Sequence, residues 1–385
     1  VNHEIKAWEE HQMIVMDIHL DNFMAFKNFH MNMSYPKKIV NSYIEEEFLE
    51  NHSNFRYKKV NILMGANASG KTSFGKMLMN IFNFMDKKEM DRITEAICDT
   101  SKKATFSIDF ITNEEDSLYR VITEVAPKTE EKYRDKDVSI CVKYVKIGAK
   151  DSYESCSKRL EEQECIMKKN FVEELGKIKG LSWLFEYPSD LGVGNKYSKH
   201  NGDTYLKVLE KTLKALDTSI IKVEKIRDVE NSFVVRMKTQ DVIIQDGELT
   251  KRDILSSGTK AGIAIAGMVT AIIRGDNGFY YCDEKFSYIH TDIEKAFLSL
   301  MIRCLRKNDQ LFFTTHNTDV LDLPLPKHTF TFLKKDINDD TESIKCVNAS
   351  EFLKRSTDSV KNAVENDLFS TAPSAELIYQ LEELK

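Results

Sequence analysis

The chain has 385 residues, 42% of them hydrophobic, which is enough to bury a large core and suits two or three lobes better than one compact unit. A net charge of −6 argues against a uniformly basic nucleic-acid binder, although a local basic groove is compatible with it. No apolar run approaches the roughly 20 residues that span a bilayer, and the polar start VNHEIKAWEEHQ lacks the regions of a signal peptide. With seven cysteines and no CxxC pair, read here as reduced thiols without a metal role, the expected location is cytoplasmic and no membrane partner is expected.

The first dozen residues read as an extension, with Met13 or Met16 as a natural start. Residues 14–20 and 29–33 are strand-like. Val60, Ile62, Leu63 and Met64 then supply a strand that runs straight into GANASGKT, Gly65 to Thr72. Beyond it, Phe74, Met77, Leu78, Ile81, Phe82 and Met85 recur at the spacing of one buried helical stripe. A GxxxxGK[ST] run between a strand and a helix is the setting of a phosphate-binding loop. Gly65 and Gly70 let the backbone curl until successive amides face one anion, and the new helix adds its positive end. Lys71 reaches the β and γ phosphates, and the Thr72 hydroxyl is a ligand for Mg²⁺.

Residues 104–110 and 117–124 alternate as strands joined by a turn at 113–116, and 138–147 reads as a further strand. Composition changes near residue 150. Residues 153–179 are charged and helix-favouring, 182–201 loop-rich and 205–216 helical, which together read as an inserted helical subdomain. Its lysines, Lys168, Lys169, Lys177, Lys179, Lys207, Lys211 and Lys214, are interleaved with acids, and a solvated face outweighs a phosphate-binding one. Beta structure resumes at 220–229 and 232–244. The domain boundaries expected are 1–149, 150–218 and 219–385.

Ser256, Ser257, Gly258 and Lys260 open a helix of small and apolar residues, a second anion-facing helix start that is also an ordinary N-cap when read alone. Residues 278–282 form a short apolar strand that ends in Asp283 and Glu284. Adjacent carboxylates at a strand's C-terminal edge stand where ligands of open α/β sheets collect. There Asp283 would hold magnesium, and Glu284 would orient or deprotonate an attacking water. A last buried strand at 310–314 leads to His316, placed to hydrogen-bond a γ-phosphate or that water.

In this order the motifs resemble the ABC-type ATPase heads of the SMC, RecF and OLD-like group. GANASGKT resembles Walker A, LSSGTK the signature, FYYCDE Walker B and TTHN the switch histidine. The resemblance implies an α/β P-loop NTPase fold with a mixed central sheet, an antiparallel β lobe and an inserted helical subdomain. It implies ATP and Mg²⁺ as cofactors, with ATP held by Gly65, Asn67, Ala68, Ser69, Gly70, Lys71, Thr72 and Ser73. The metal falls to Thr72 and Asp283, and catalysis to Glu284 and His316. It further implies a head-to-tail dimer or higher homo-oligomer in which Ser256, Ser257, Gly258 and Lys260 act in trans. Phe23 or Phe26, within DNFMAFKNF, resembles the group's NFxxF start and is the expected adenine contact.

Two departures stand out. Phe286 occupies the place of a further acid after Walker B, and no glutamine between Lys71 and Glu162 supplies a Q-loop. About seventy residues of insertion are too few for SMC arms at about 1.5 Å per helical residue. The tail, including FTFLKKDINDDTESIKCV and then VKNAVENDLFSTAPS, resembles the end of stand-alone ATPases of anti-phage systems such as PARIS, Septu and retron modules. That implies a sensor or scaffold controlling a separately encoded effector, for instance a nuclease. A RecF-like DNA-repair ATPase with DNA as partner, and a weakly hydrolysing ATP-bound module, are the alternatives.

Overall fold

The computed structural model describes residues 13–38, 42–112, 116–187, 202–238, 240–250, 255–338, 341–355, 357–369 and 379–381. The expectations for the first dozen residues and for 188–201 lie outside them. The chain opens with β1 (Met13–Asp21) and β2 (Phe29–Asn32), a short hairpin of β3 (Phe48–Leu49) and β4 (His52–Arg56), then β5 (Val60–Met64) and helix α1 (Lys71–Lys87). After α2 (Asp91–Glu95) come β6 (Ala104–Thr112), β7 (Ser117–Val125) and β8 (Val138–Lys146). The middle holds α3 (Tyr153–Glu162), α4 (Phe171–Leu175), β9 (Trp183–Glu186), α5 (Gly202–Leu216), β10 (Ile220–Lys225), β11 (Ser232–Met237), β12 (Asp241–Gln245) and β13 (Glu248–Leu249). The last part carries α6 (Ser257–Arg274), β14 (Phe279–Asp283), α7 (Thr291–Cys304), β15 (Gln310–Thr314), β16 (Phe330–Asn338) and β17 (Thr341–Asn348).

The centre is a six-stranded sheet in the order β17-β16-β5-β15-β14-β9, parallel except for the antiparallel edge β17. Its strands β5, β14 and β15 are buried at every position, as strands covered on both faces have to be. On one face lies α1, whose expected stripe joins Leu63, Phe279, Tyr281 and Phe312 in one core. On the other face Ile62, Tyr280 and Phe313 meet Ile265, Met268 and Ile272 of α6 and Leu298 and Met301 of α7. Each fully buried side chain of this size stabilises the fold by about 1.5–3 kcal/mol.

The second layer is the antiparallel sheet β2-β1-β6-β7-β8, packed over the far side of α1. Along β1 the faces alternate: Met13 and Val15 enter the α1 core, while Ile14 and Met16 enter a smaller core with Phe55 and Tyr57. A register shift between Val15 and Asp17 then changes the parity. Ile18 and Leu20 keep facing α1, and Asp17 and His19 are turned to the opposite face. A third sheet, β10-β11-β12-β13, packs on α5 and on Ile263 and Ala266 of α6.

Three expectations differ from what is found. Among the described residues of 150–218, the helices pack on neighbouring elements rather than on one another. Tyr153 and Leu160 of α3 pack with the antiparallel sheet, Phe171 of α4 packs on Phe84 of α1, and α5 belongs to the third sheet's core. Within the stretch read as loop-rich, Trp183–Glu186 is the edge strand β9, parallel to β14. The cysteines are not all thiols either: Cys141 of β8 and Cys165 form a disulfide with a Cα–Cα separation of 6.0 Å. Among the described residues no helix is long and apolar enough to cross a membrane.

Candidate nucleotide site

The loop after β5 depends on two glycines. Gly65 has φ 150° and Gly70 φ 100°. A Cβ at Gly65 would lie 2.3 Å from the Leu333 carbonyl oxygen, so the backbone of β16 closes over the loop too tightly for any side chain there, whereas at Gly70 a Cβ would meet only the movable end of Ile344 and the positive φ is what favours glycine. Ala68 also sits in the left-handed region, at φ 62°. Asn67 and Ala68 are exposed, Ser73 is half-buried, and Ser69 is buried with a hydroxyl that makes no hydrogen bond. Gly70 ends the loop as the N-cap of α1 without a side-chain cap, leaving the helix's first amides open to an anion.

Lys71 begins α1 and turns back over the loop. Its Nζ donates to the carbonyls of Gly65 (2.8 Å) and Ala66 (3.3 Å) and pairs with Glu284 Oε1 at 3.2 Å. The ammonium is 3% exposed, so these contacts are made in a desolvated environment where charge counts for more than in water. The Tyr281 hydroxyl donates to the Lys71 carbonyl (2.8 Å), tying the helix start to the neighbouring strand.

Parallel pairing of β14 and β15 sets Asp283 opposite Thr314. Asp283 is fully buried and accepts from Thr314 Oγ1 (2.6 Å) and Thr72 Oγ1 (2.7 Å). Burial pushes its carboxyl above the usual carboxylate range, opposed by the two hydroxyls and by Lys71. A divalent cation would relieve that desolvation. The residues present fit Mg²⁺: a buried carboxylate and a hydroxyl, both hard oxygens, stand one hydrogen bond apart, close to the edge of an octahedral shell. Glu284 takes φ 44°, a conformation that strains a non-glycine residue by about 1–3 kcal/mol. Its amide is held by the Thr314 hydroxyl at 3.0 Å.

His316 is exposed at the end of β15, in a turn anchored from below. Glu294 of α7, 3% exposed, accepts from the Thr315 hydroxyl (2.8 Å) through one oxygen and from the Asn317 amide (2.7 Å) through the other. The residues on either side of His316 are thereby fixed. Neither Glu294 nor Thr314 was identified from sequence. In an amphipathic helix an acid in the first turn reads as a solvated charge.

The structure thus gathers Lys71, Thr72, Asp283, Glu284 and Thr314. It leaves Ser256–Lys260 apart from them, with no hydrogen bond or ion pair between the two groups among the described residues. Ser256 caps α6 by accepting from the Thr259 amide (3.1 Å), and Ser256 and Ser257 are exposed. A Cβ on Gly258 would approach the Tyr288 carbonyl oxygen to 2.9 Å, so the helix start packs on the loop after Glu284. The adenine expectation is corrected: Phe23 and Phe26 are both 0% exposed, packed edge-on to Phe106 and to Phe29 and Phe74 respectively. No base can stack on either without opening the core. Of the lysines of 150–218, Lys168 and Lys177 pair with Glu174 and Lys214 with Glu210, while Lys169 donates to the Lys136 carbonyl.

No family model matches this sequence, and no curated protein matches it. Solved structures do. An SMC head bound to the C-winged helix domain of ScpA aligns over 88% of this chain and 99% of its own, at 14% identity and a TM-score of 0.51. A Pyrococcus furiosus Smc head with an extended coiled coil, bound to the C-terminal domain of ScpA, covers 88% and 98% at 13% identity and 0.48. The recombination mediator RecF with an ATP analogue covers 87% and 99% at 11% identity and 0.44. The chain has the fold of an SMC-type head, a P-loop NTPase fold.

Proposed function

We propose that the chain is an ATP-binding, ATP-hydrolysing head of the ABC type. The observation that carries this reading is the meeting of Lys71, Thr72, Asp283 and Glu284 at the C-terminal ends of β5 and β14. The triphosphate would lie along the amides from Gly65 to Ser73. Lys71 would exchange its contacts with the loop carbonyls and Glu284 for phosphate oxygens, which frees the Glu284 carboxylate to hold a water. Mg²⁺, held by Thr72 and Asp283, would neutralise charge on the β and γ oxygens. Glu284 would accept the water's proton, while His316, steadied through Thr315 and Asn317 by Glu294, would donate to the γ-phosphate.

The exposed start of α6, with Ser256, Ser257, Gly258 and Lys260, would complete this site in a second copy bound head to tail. We further propose that the assembled head works in the cytoplasm on a separately encoded effector such as a nuclease, in anti-phage defence. The support is the tail's resemblance to such ATPases. Phosphate release by the full chain with Mg²⁺ tests the enzymatic part. Turnover abolished by EDTA and by Asp283→Asn is expected. Turnover insensitive to both would remove the reading, and turnover raised only by duplex DNA would favour a repair ATPase.

A further inference from the structure

The register shift in β1 has a chemical outcome away from the nucleotide site. It sets Asp17 and His19 on one face, and antiparallel pairing places His30 directly opposite His19 and Asn32 opposite Asp17. The four side chains meet. His19 Nε2 lies 2.9 Å from Asp17 Oδ1, and His30 Nε2 lies 2.8 Å from Asp17 Oδ2. The rings stack with centroids 4.0 Å apart and planes 7° from parallel. The carboxylate is nearly buried and the imidazoles are about half exposed, at 53% and 50%.

We propose that Asp17, His19 and His30 form a binding site for one late first-row divalent cation of the zinc type. Two imidazole nitrogens and one carboxylate oxygen, all within 4.8 Å of one another, are the donor set and spacing such a cation takes. The nitrogen ligands disfavour Mg²⁺ and Ca²⁺, which prefer oxygen. The carboxylate is oriented in advance: the Asn32 amide donates to Asp17 Oδ2 (2.7 Å), and Asn32 is itself fixed by the Ser34 amide (2.8 Å) and hydroxyl (2.7 Å) on its oxygen. Ligating carboxylates are commonly held this way from behind. The neighbouring Asp109 does not compete, because Arg120 and the Tyr153 hydroxyl occupy its oxygens.

On binding, each imidazole presents the Nε2 lone pair and carries its hydrogen on Nδ1. The rings turn from their parallel stack toward the carboxylate, a rotation that half-exposed side chains on neighbouring strands can make. The fourth position faces solvent and takes a water. The cation ties β1 to β2, the edge of the antiparallel sheet, so its direct effect is on that sheet's stability.

The test uses the full chain, free of any affinity tag, titrated with Zn²⁺ by calorimetry and with Co²⁺ by visible absorption. One cation per chain is expected, with Zn²⁺ displacing Co²⁺ and millimolar Mg²⁺ displacing neither. His19→Ala and His30→Ala are each expected to weaken binding by at least about tenfold and to erase the zinc-induced rise in melting temperature, with nucleotide binding unchanged. Asp17 is buried, so Asp17→Asn is informative only once it is shown to fold; the exposed His19 decides the matter in any case. No uptake at micromolar metal, or uptake unchanged in both histidine variants, overturns the proposal and leaves a hydrogen-bonded trio.

Discussion

Two buried aspartates, one in each large sheet, show how partners divide structure from chemistry. Asp109 of the antiparallel sheet receives a bidentate Arg120 guanidinium (2.7 and 2.6 Å) and the Tyr153 hydroxyl (2.8 Å). Burial still pushes its carboxyl up, but a full opposite charge lies on its oxygens and its bonding is complete. Asp283 of the parallel sheet is as deeply buried, yet its two direct partners are neutral hydroxyls. The nearest cation, Lys71, is engaged with loop carbonyls and Glu284. A buried carboxylate whose charge is left to hydroxyls is poised for a cation that arrives with a ligand; one already paired with arginine is a clamp.

Breaking the clamp is expected to have the largest effect. Arg120→Ala leaves Asp109 unpaired inside the sheet and should lower stability by about 3–5 kcal/mol in urea unfolding, with ATP affinity unchanged. Asp283→Asn should do the reverse, keeping or raising stability while abolishing Mg²⁺-dependent turnover. If both substitutions act mainly on stability, the contrast fails. Next, Glu284→Gln should slow phosphate release by about 100-fold or more and shift the dissociation constant for ATP little, which single-turnover and equilibrium titrations separate. An equal loss in both would deny Glu284 its separate role.

A smaller effect is expected at Glu294. Glu294→Ala frees Thr315 and Asn317, and turnover should fall about tenfold at unchanged KM if the clamp positions His316; Glu294→Gln, which keeps one acceptor, should recover part of it. The gentlest probe is pH. Asp309, just before β15, is buried and pushed up to about 7 from an ordinary 3.8, chiefly by desolvation. Because the folded state holds this proton more tightly, its contribution is fully present below about pH 4 and is lost as pH rises through about 7. Its slope is at most about 1.4 kcal/mol per pH unit in that window. Asp309→Asn should flatten the stability profile there, and an unchanged slope would show that Asp309 titrates normally.

The sequence carried the strand before the loop, the helix after it and the carboxylates at the end of β14, because those signals are local: a run of apolar residues, a glycine at each sharp bend, an acid at a strand end. What it did not carry depends on the third dimension. Phe23 and Phe26 have the same composition and spacing whether they face a base or a core, and only the packing of α1 against β1 and β6 decides between them. Glu294 reads as a surface acid from its own sequence neighbourhood, because nothing local announces that the turn after β15 folds down onto α7. Trp183–Glu186 reads as loop because four residues, with nothing else nearby in sequence to pair with, acquire strand character only beside β14. The Cys141–Cys165 pairing likewise rests on a neighbourhood 24 residues apart in sequence.

The central claim is that ATP is held by Lys71 over a cation site at Asp283. Its most direct test is an equilibrium titration of the full chain and of Lys71→Ala with labelled ATP and Mg²⁺. Saturable binding by the unaltered chain, weakened on the order of 100-fold by the substitution, is the result expected. Equal affinity in the two, or no binding by the unaltered chain at millimolar ATP, would contradict the account.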